Sequence, residues 1–134
     1  LSEIKDTCVV VSPIVPMTKT DVGFECVSIK DNKPFSYKLV SNHMKDKSKL
    51  VSAFHVISEK KLINPTLELD YDIFVCGDDN ESVQVVNGLI DEIKGLRSIY
   101  LGPIELSYLA EMSTPLLLNA MIRNKIKNPG IKII

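Results

Sequence analysis

The strongest constraint on this chain is a strand that runs directly into a helix: Ile73-Phe-Val-Cys76, then Gly77-Asp-Asp79, then a helical pattern from Asn80. A short apolar run that ends on turn residues and opens a period near 3.6 is the mark of a βα unit. When such a unit grips a dinucleotide, its junction carries a Gly-rich phosphate loop. Here Gly77, Gly88, Gly95, Gly102 and Gly130 never approach G-x-G-x-x-G, and the chain opens at Leu1 without an initiator Met. The expectation is therefore a C-terminal piece whose phosphate-holding half lies before Leu1.

The remaining pattern alternates in the same way. Thr7–Ser12 is a β-branched run ended by Pro13 and Pro16, as in a central strand of a parallel sheet. Residues 17–33 are polar, with a short alternation at Glu25–Ile29 that suits a hairpin or lid. Pro34 opens a helical spacing through Phe35, Leu39, Val40 and Met44. Leu50–Phe54 is a strand ending at His55, and Val83, Val86, Leu89, Ile90 and Ile93 predict a helix over about 80–94 closed by Gly95. Ser98–Leu101 is a further strand. Ile104–Met112 and Thr114–Ile126 are both helical in pattern, divided by Ser113 as N-cap and Pro115. The fold class is α/β: the second half of a Rossmann-like parallel sheet over 1–102, plus a C-terminal helical segment over 103–134.

Composition excludes several functions. Sixteen basic against 17 acidic residues, a net charge of −1, give no general attraction to nucleic acid or to acidic membranes. The longest apolar runs, Cys8–Ser12 and Pro115–Leu118, are far short of the roughly 20 residues of a membrane span, and no signal peptide is visible. Cys8, Cys26 and Cys76 are odd in number and lack metal-ligand spacing, so they read as reduced, buried thiols of a cytoplasmic protein, with no metal site. Asp78 and Asp79 invite a metal or acid–base reading, but Asp78 and Glu81 have capping-box spacing, which favours helix capping. Lys45, Lys47, Lys49, Lys60 and Lys61, interrupted by Asp46 and Glu59, read as a solvated surface.

Several blocks together carry a resemblance: Val10–Pro16, Val51–His55, Val75–Asp79, Gly95–Arg97, Leu101–Pro103, Thr114–Asn119 and Gly130–Ile133. In order and spacing they resemble the second half of the F420-dependent NADP reductases, archaeal and actinobacterial oxidoreductases. The resemblance implies NADP and the deazaflavin coenzyme F420 as cofactors, with hydride passing directly between their rings. Each coenzyme supplies its own reactive carbon, so the protein positions and excludes water, and no catalytic acid or base is nominated. His55, Ile57 and Thr114 match residues beside the deazaflavin, and Pro13, Val15 and Ser58 follow two strand ends where ligands collect in such sheets. Tyr108 and Gly130 complete the implied coenzyme-binding set. Family members can carry Arg and Ser where this chain has Tyr108 and Met112, which removes a fixed positive charge and a hydroxyl. A homodimer is also implied, with small-molecule coenzymes as the other partners. Two other readings stand beside it: a relative that reduces another acceptor with NADPH, and a non-catalytic dimerisation domain paired through Leu106, Leu109, Leu116, Leu117, Met121 and Ile122.

Overall fold

A computed structural model describes residues 3–134, with Glu59 described by its backbone alone. In chain order its elements are β1 (Val10–Ser12), the hairpin strands β2 (Met17–Thr20) and β3 (Gly23–Cys26), and the short helices α1 (Val27–Lys30) and α2 (Ser36–Ser41). There follow β4 (Leu50–Ser52), α3 (Glu59–Leu62), β5 (Tyr71–Gly77), α4 (Asn80–Asp91), β6 (Leu96–Gly102) and α5 (Ser107–Asn124). Single 3₁₀ turns at Lys47–Lys49 and Ile104–Leu106 lead into β4 and α5.

Among the described residues the main sheet has the order β1-β4-β5-β6 and is mostly parallel: β1 with β4, and β5 with β6. The expected alternation of strands and helices is therefore present, with one departure. β4 and β5 run antiparallel, pairing Val51 with Gly77 and Ser52 with Cys76. A parallel return needs a crossover long enough to carry the chain back along the sheet, and β5 follows β6's direction because the 12-residue α4 supplies one. Between β4 and β5 a connection of the same 18-residue length carries only the four-residue α3, and the chain comes back antiparallel along β4. The strand placed centrally by its apolar run, β1, is an edge strand among the described residues and only partly buried at Val10 and Val11.

The core forms where α4 covers the sheet. Val83, Val86 and Ile90 are buried on one helix face and pack with Val51, Ala53, Ile73, Val75 and Leu96. Leu89, expected in that row, is half exposed instead. Asp79 caps α4, accepting from the Ser82 amide at 3.1 Å and its hydroxyl at 2.5 Å, while Asp78 accepts from the Ile104 amide at 3.0 Å. Capping is thus the work of Asp79 alone, one residue later than the spacing suggested, while Asp78 ties the end of β5 to the turn at Ile104. Gly95 is required where it stands: its φ is +87°, and a Cβ there would lie 1.7 Å from the Leu69 carbonyl oxygen.

The two expected C-terminal helices are one. Ser113 does not cap a second helix; its hydroxyl bonds back to the Ala110 carbonyl at 2.5 Å, and α5 continues through the buried Pro115. Pro115 has no amide to give the carbonyl four residues back, and a helix held by neighbours on both sides tolerates that loss. The neighbours are the cleft wall described below and the hairpin, which Asn119 fastens by exchanging two hydrogen bonds with the Phe24 backbone at 2.8 and 2.7 Å.

Residues 128–133 strap the end of β5 that β4 leaves uncovered. The Asp72 amide donates to Ile131 at 2.7 Å, and the Asp72 carboxylate receives Arg97 through two bonds of 2.8 Å and the Ile133 amide at 2.6 Å. The Asp72 carboxyl is held below the usual range, chiefly by the Arg97 hydrogen bond. Of the cysteines, Cys26 and Cys76 are buried as expected but Cys8 is exposed, and all three are free thiols.

Candidate functional site at the end of β4

Because β4 and β5 run in opposite directions, the two motifs that follow them lie at opposite ends of the sheet. The Asp78–Asp79 pair sits at the α4 end. His55 and the residues after β4 face the other way, into a cleft of about 460 Å³ between the β4–α3 connection, the middle of α5 and the segment around Pro129. His55, Val56, Ile57 and Ser58 form one side, Thr114, Leu117, Leu118 and Met121 the second, and Lys60, Lys61, Lys127 and Asn128 the rim. The walls are apolar with a few convergent polar groups, which is the composition of a small-molecule site.

His55 is 5% exposed, and among the described residues neither ring nitrogen has a hydrogen-bond partner. Burial pushes its pKa down to about 4, so the ring is neutral at physiological pH. A buried imidazole with no partner costs stability, unlike the ordinary buried histidine that bonds to a carbonyl or carboxylate. Its backbone is fixed, since the Thr114 hydroxyl donates to the His55 carbonyl and ties α5 to the end of β4. The preceding residue, Phe54, has a φ of +68°, a left-handed conformation that sets the path of the chain into the cleft.

The residues nominated from the sequence separate into two groups. His55, Ile57, Ser58 and Thr114 line the cleft together. Pro13 and Val15 follow β1 and are exposed and half-buried, outside the lining. Tyr108 is turned toward Phe35, with ring centroids 5.6 Å apart, and Gly130 packs so closely on Tyr71 that a Cβ would lie 1.9 Å from its ring. The Thr114 hydroxyl is already spent as a donor, so toward a ligand it offers only lone pairs.

Lys61 was not among the nominated residues, and the solvated-surface reading of Lys60-Lys61 holds for Lys60 alone. Lys61 is 8% exposed, donates to the Pro129 carbonyl at 2.6 Å, and lies 4.5 Å from the centre of the Tyr71 ring. The share of Glu59 in that charge pattern lies outside the described residues. Neighbouring positions on a helix point about 100° apart, so a Lys-Lys pair can send one side chain inward. That turn was the available signal.

The structure thus defines an α/β protein with a mostly parallel sheet and an apolar cleft beyond the end of an inner strand, a place where ligands collect in open α/β folds. No protein-family model matches the chain. Curated relatives do: the F420-dependent NADP reductase of Methanocaldococcus jannaschii is 41% identical over 96 residues, covering 72% of this chain and 43% of that protein. The F420-dependent NADP reductase of Methanothermobacter thermautotrophicus is 35% identical over 86 residues, covering 64% of this chain and 37% of its own length. The chain thus matches about two fifths of the length of these curated relatives. A crystal structure from Arthrobacter sp. FB24, described as a candidate F420-dependent NADP reductase, superposes on 92% of this chain and 56% of its own with a TM-score of 0.74 at 19% identity, a likeness of fold. Over the matched stretch this chain is a relative of the F420-dependent NADP reductases, as its motifs indicated.

Proposed function

We propose that this chain supplies the deazaflavin side of an oxidoreductase that passes hydride between coenzyme F420 and NADP. The observation that carries this reading is the His55–Thr114 cleft: a buried, neutral, unpartnered imidazole on an apolar wall, in a chain whose curated relatives bear that activity in their names. When both coenzymes are bound, they supply the reactive carbons. This chain's part is to orient and to exclude water. Ile57, Leu117, Leu118 and Met121 offer a flat ring an apolar seat. His55, neutral and fixed through its carbonyl, offers a hydrogen bond to a ring substituent without placing a charge beside the migrating hydride.

Tyr108, Gly130, Pro13 and Val15 remain in the proposed coenzyme-binding set, reached from outside the cleft proper. No Gly-rich turn in the sequence offers NADP's phosphates a cradle, so the chain alone is expected to transfer no hydride. We place the protein in the cytoplasm, with residues 1–102 forming the sheet half and 103–134 the helical wall of the coenzyme cleft. No helix of the described residues is long and apolar enough to cross a membrane.

Titration of the chain with coenzyme F420, followed by its fluorescence, tests the proposal. Saturable binding at about micromolar concentration, weakened at least about tenfold by His55→Ala or Thr114→Ala, is expected. Binding that neither substitution alters would remove the cleft from the reading.

A second reading rests on a different face. Leu109, Met112, Leu116 and Ile122 of α5 are exposed, and an apolar groove beside them is lined by Ile29, Met112 and Leu116. This surface suits a homodimer, and a solution mass of twice 14.9 kDa would support it where a single chain would not.

A further inference from the structure

The sheet face turned away from α4 carries small polar side chains where a core is ordinarily apolar. Ser12, Ser52 and Cys76 are register partners on β1, β4 and β5, so their side chains stand in one row on one face. The first turn of α5 lies over that row: the Ser52 and Ser107 hydroxyls meet at 2.7 Å, and the Cys76 thiol is within hydrogen-bonding reach of both. One turn further on, Glu111 has no exposed surface, and its Oε1 accepts the Ser36 amide at 2.9 Å and the Ser36 hydroxyl at 2.5 Å. That hydroxyl has a single proton and is shared with the Ile14 carbonyl at 2.9 Å. Glu111 Oε2 and the buried Ser12 hydroxyl have no partner among the described residues. The titratable groups that face Glu111 are Cys76 from β5 and Tyr37 from α2, with Glu105 and Tyr108 beside Tyr37, and none of them is a cation. Among the described residues no Lys, Arg or His lies within ion-pair distance of it, whereas Asp72 has Arg97. An ionised carboxylate is poorly served here and a protonated carboxyl is not.

We propose that Glu111 is a proton-operated latch for α5: with its proton it rests in this seam and holds the Ser107–Glu111 turn on the sheet, and on losing the proton it moves to water and that turn lifts. Burial raises its carboxyl above the ordinary range, against the pull of the Ser36 bonds. The latch is therefore shut below the folded value and opens as the pH rises through it. Thr114 lies three residues beyond Glu111 on the same helix, so the latch sets how firmly the second wall of the cleft is held. It acts on the wall and not on what the cleft binds, and it stands or falls apart from the deazaflavin reading.

The test needs no ligand. The closed seam hides the Cys76 thiol completely, so its alkylation by iodoacetamide, assigned by mass spectrometry of the labelled peptide, reports when the first turn of α5 lifts. Protection is the rate in the urea-unfolded chain divided by the rate in the folded chain at the same pH, which cancels the titration of the thiol itself. Between about pH 6.5 and about pH 9 the His55 ring stays neutral, so Glu111 is read without it. Over that range the wild type is expected to lose at least about tenfold in protection while its circular dichroism remains that of the folded chain. Glu111→Gln, which keeps the shape and cannot ionise, is expected to hold its protection within about twofold. At the upper pH, about 1 M urea is expected to leave the wild-type rate within about twofold, because lifting one turn exposes little surface, whereas unfolding of the whole chain would raise it about tenfold or more. Level protection in the wild type, an equal fall in Glu111→Gln, or a rate that urea multiplies overturns the latch.

Discussion

Two ionisable side chains are buried toward the same end of the sheet and are treated in opposite ways. Asp72, at the start of β5, has no exposed surface and receives two Arg97 donors and the Ile133 amide. His55, beyond the end of β4, is almost as deeply buried and receives nothing on its ring from the described residues. The first is a closed network, in which every lone pair aimed inward has a donor and no capacity is left for a ligand. The second is open. A polar group that is buried and unpartnered is stabilised only by what it meets later, which is why the cleft, rather than the more heavily charged Asp72 cluster, is read as the site.

The largest break in that comparison comes from opening the closed network. Asp72→Ala removes three hydrogen bonds to a charged acceptor and releases the strap at residues 131–133, and a loss of about 4 kcal/mol in urea unfolding is expected. Asp72→Asn, which keeps the shape, should lose about half as much. The pH dependence has a definite sign. Arg97 holds the Asp72 carboxyl below the usual range, so its contribution is present above the ordinary carboxylate value and is lost only as the pH falls through the lower, folded one. A loss under 1 kcal/mol for Asp72→Ala would show the strap to be ornamental.

The open group breaks differently. The His55 pKa in the folded chain is about 4, below the ordinary value of 6.5, so the unfolded chain binds the extra proton first. Stability is therefore expected to fall as the pH drops from about 6.5 to about 4, by no more than about 3 kcal/mol, and to level below that window. His55→Leu should flatten this limb while leaving the Asp72 limb below it. Should the wild-type curve be level between pH 7 and 5, the ring is partnered or solvated, and the contrast with Asp72 fails.

The sequence made part of this contrast legible. The βα unit at 71–91 was readable because a buried strand, a capping acid and a 3.6-residue apolar row coincide there, and His55 and Thr114 were readable from motif order. The direction of β4 was not. A strand buried on both faces has the same composition whichever way it runs, and the connections before and after β5 are of equal length, 18 residues each. That direction separates Asp78–Asp79 from the cleft and so removes the acid pair from the site. Lys61 escaped for a related reason: charge patterning averages over a helix face, and burial of one lysine of a pair depends on Pro129 and Tyr71, 68 and 10 residues away in sequence. Pro115 misled because proline is over-represented in the first turn of helices, whereas α5, held between hairpin and sheet, continues through it.

The smallest expected effect sharpens the comparison from a third buried group. Glu111 on α5 has no exposed surface; its Oε1 accepts the Ser36 amide at 2.9 Å and the Ser36 hydroxyl at 2.5 Å, and its Oε2 has no partner. Half of it therefore resembles Asp72 and half resembles His55. Burial raises its carboxyl above the ordinary range, against the pull of the Ser36 bonds, so the folded chain keeps the proton longer than the unfolded one. Its contribution is full below the ordinary carboxylate value and is lost as the pH rises through the folded one, the reverse of the His55 limb. A glutamine reproduces the neutral acid: its carbonyl can accept both Ser36 donors, and its amide takes the place of the unpartnered oxygen. Glu111→Gln is expected to change stability by less than about 1 kcal/mol at pH 5 and to become the more stable form above neutrality. If the variant instead loses more than that at every pH, Oε2 has a partner in solution, and Glu111 belongs with Asp72 as a closed, structural group.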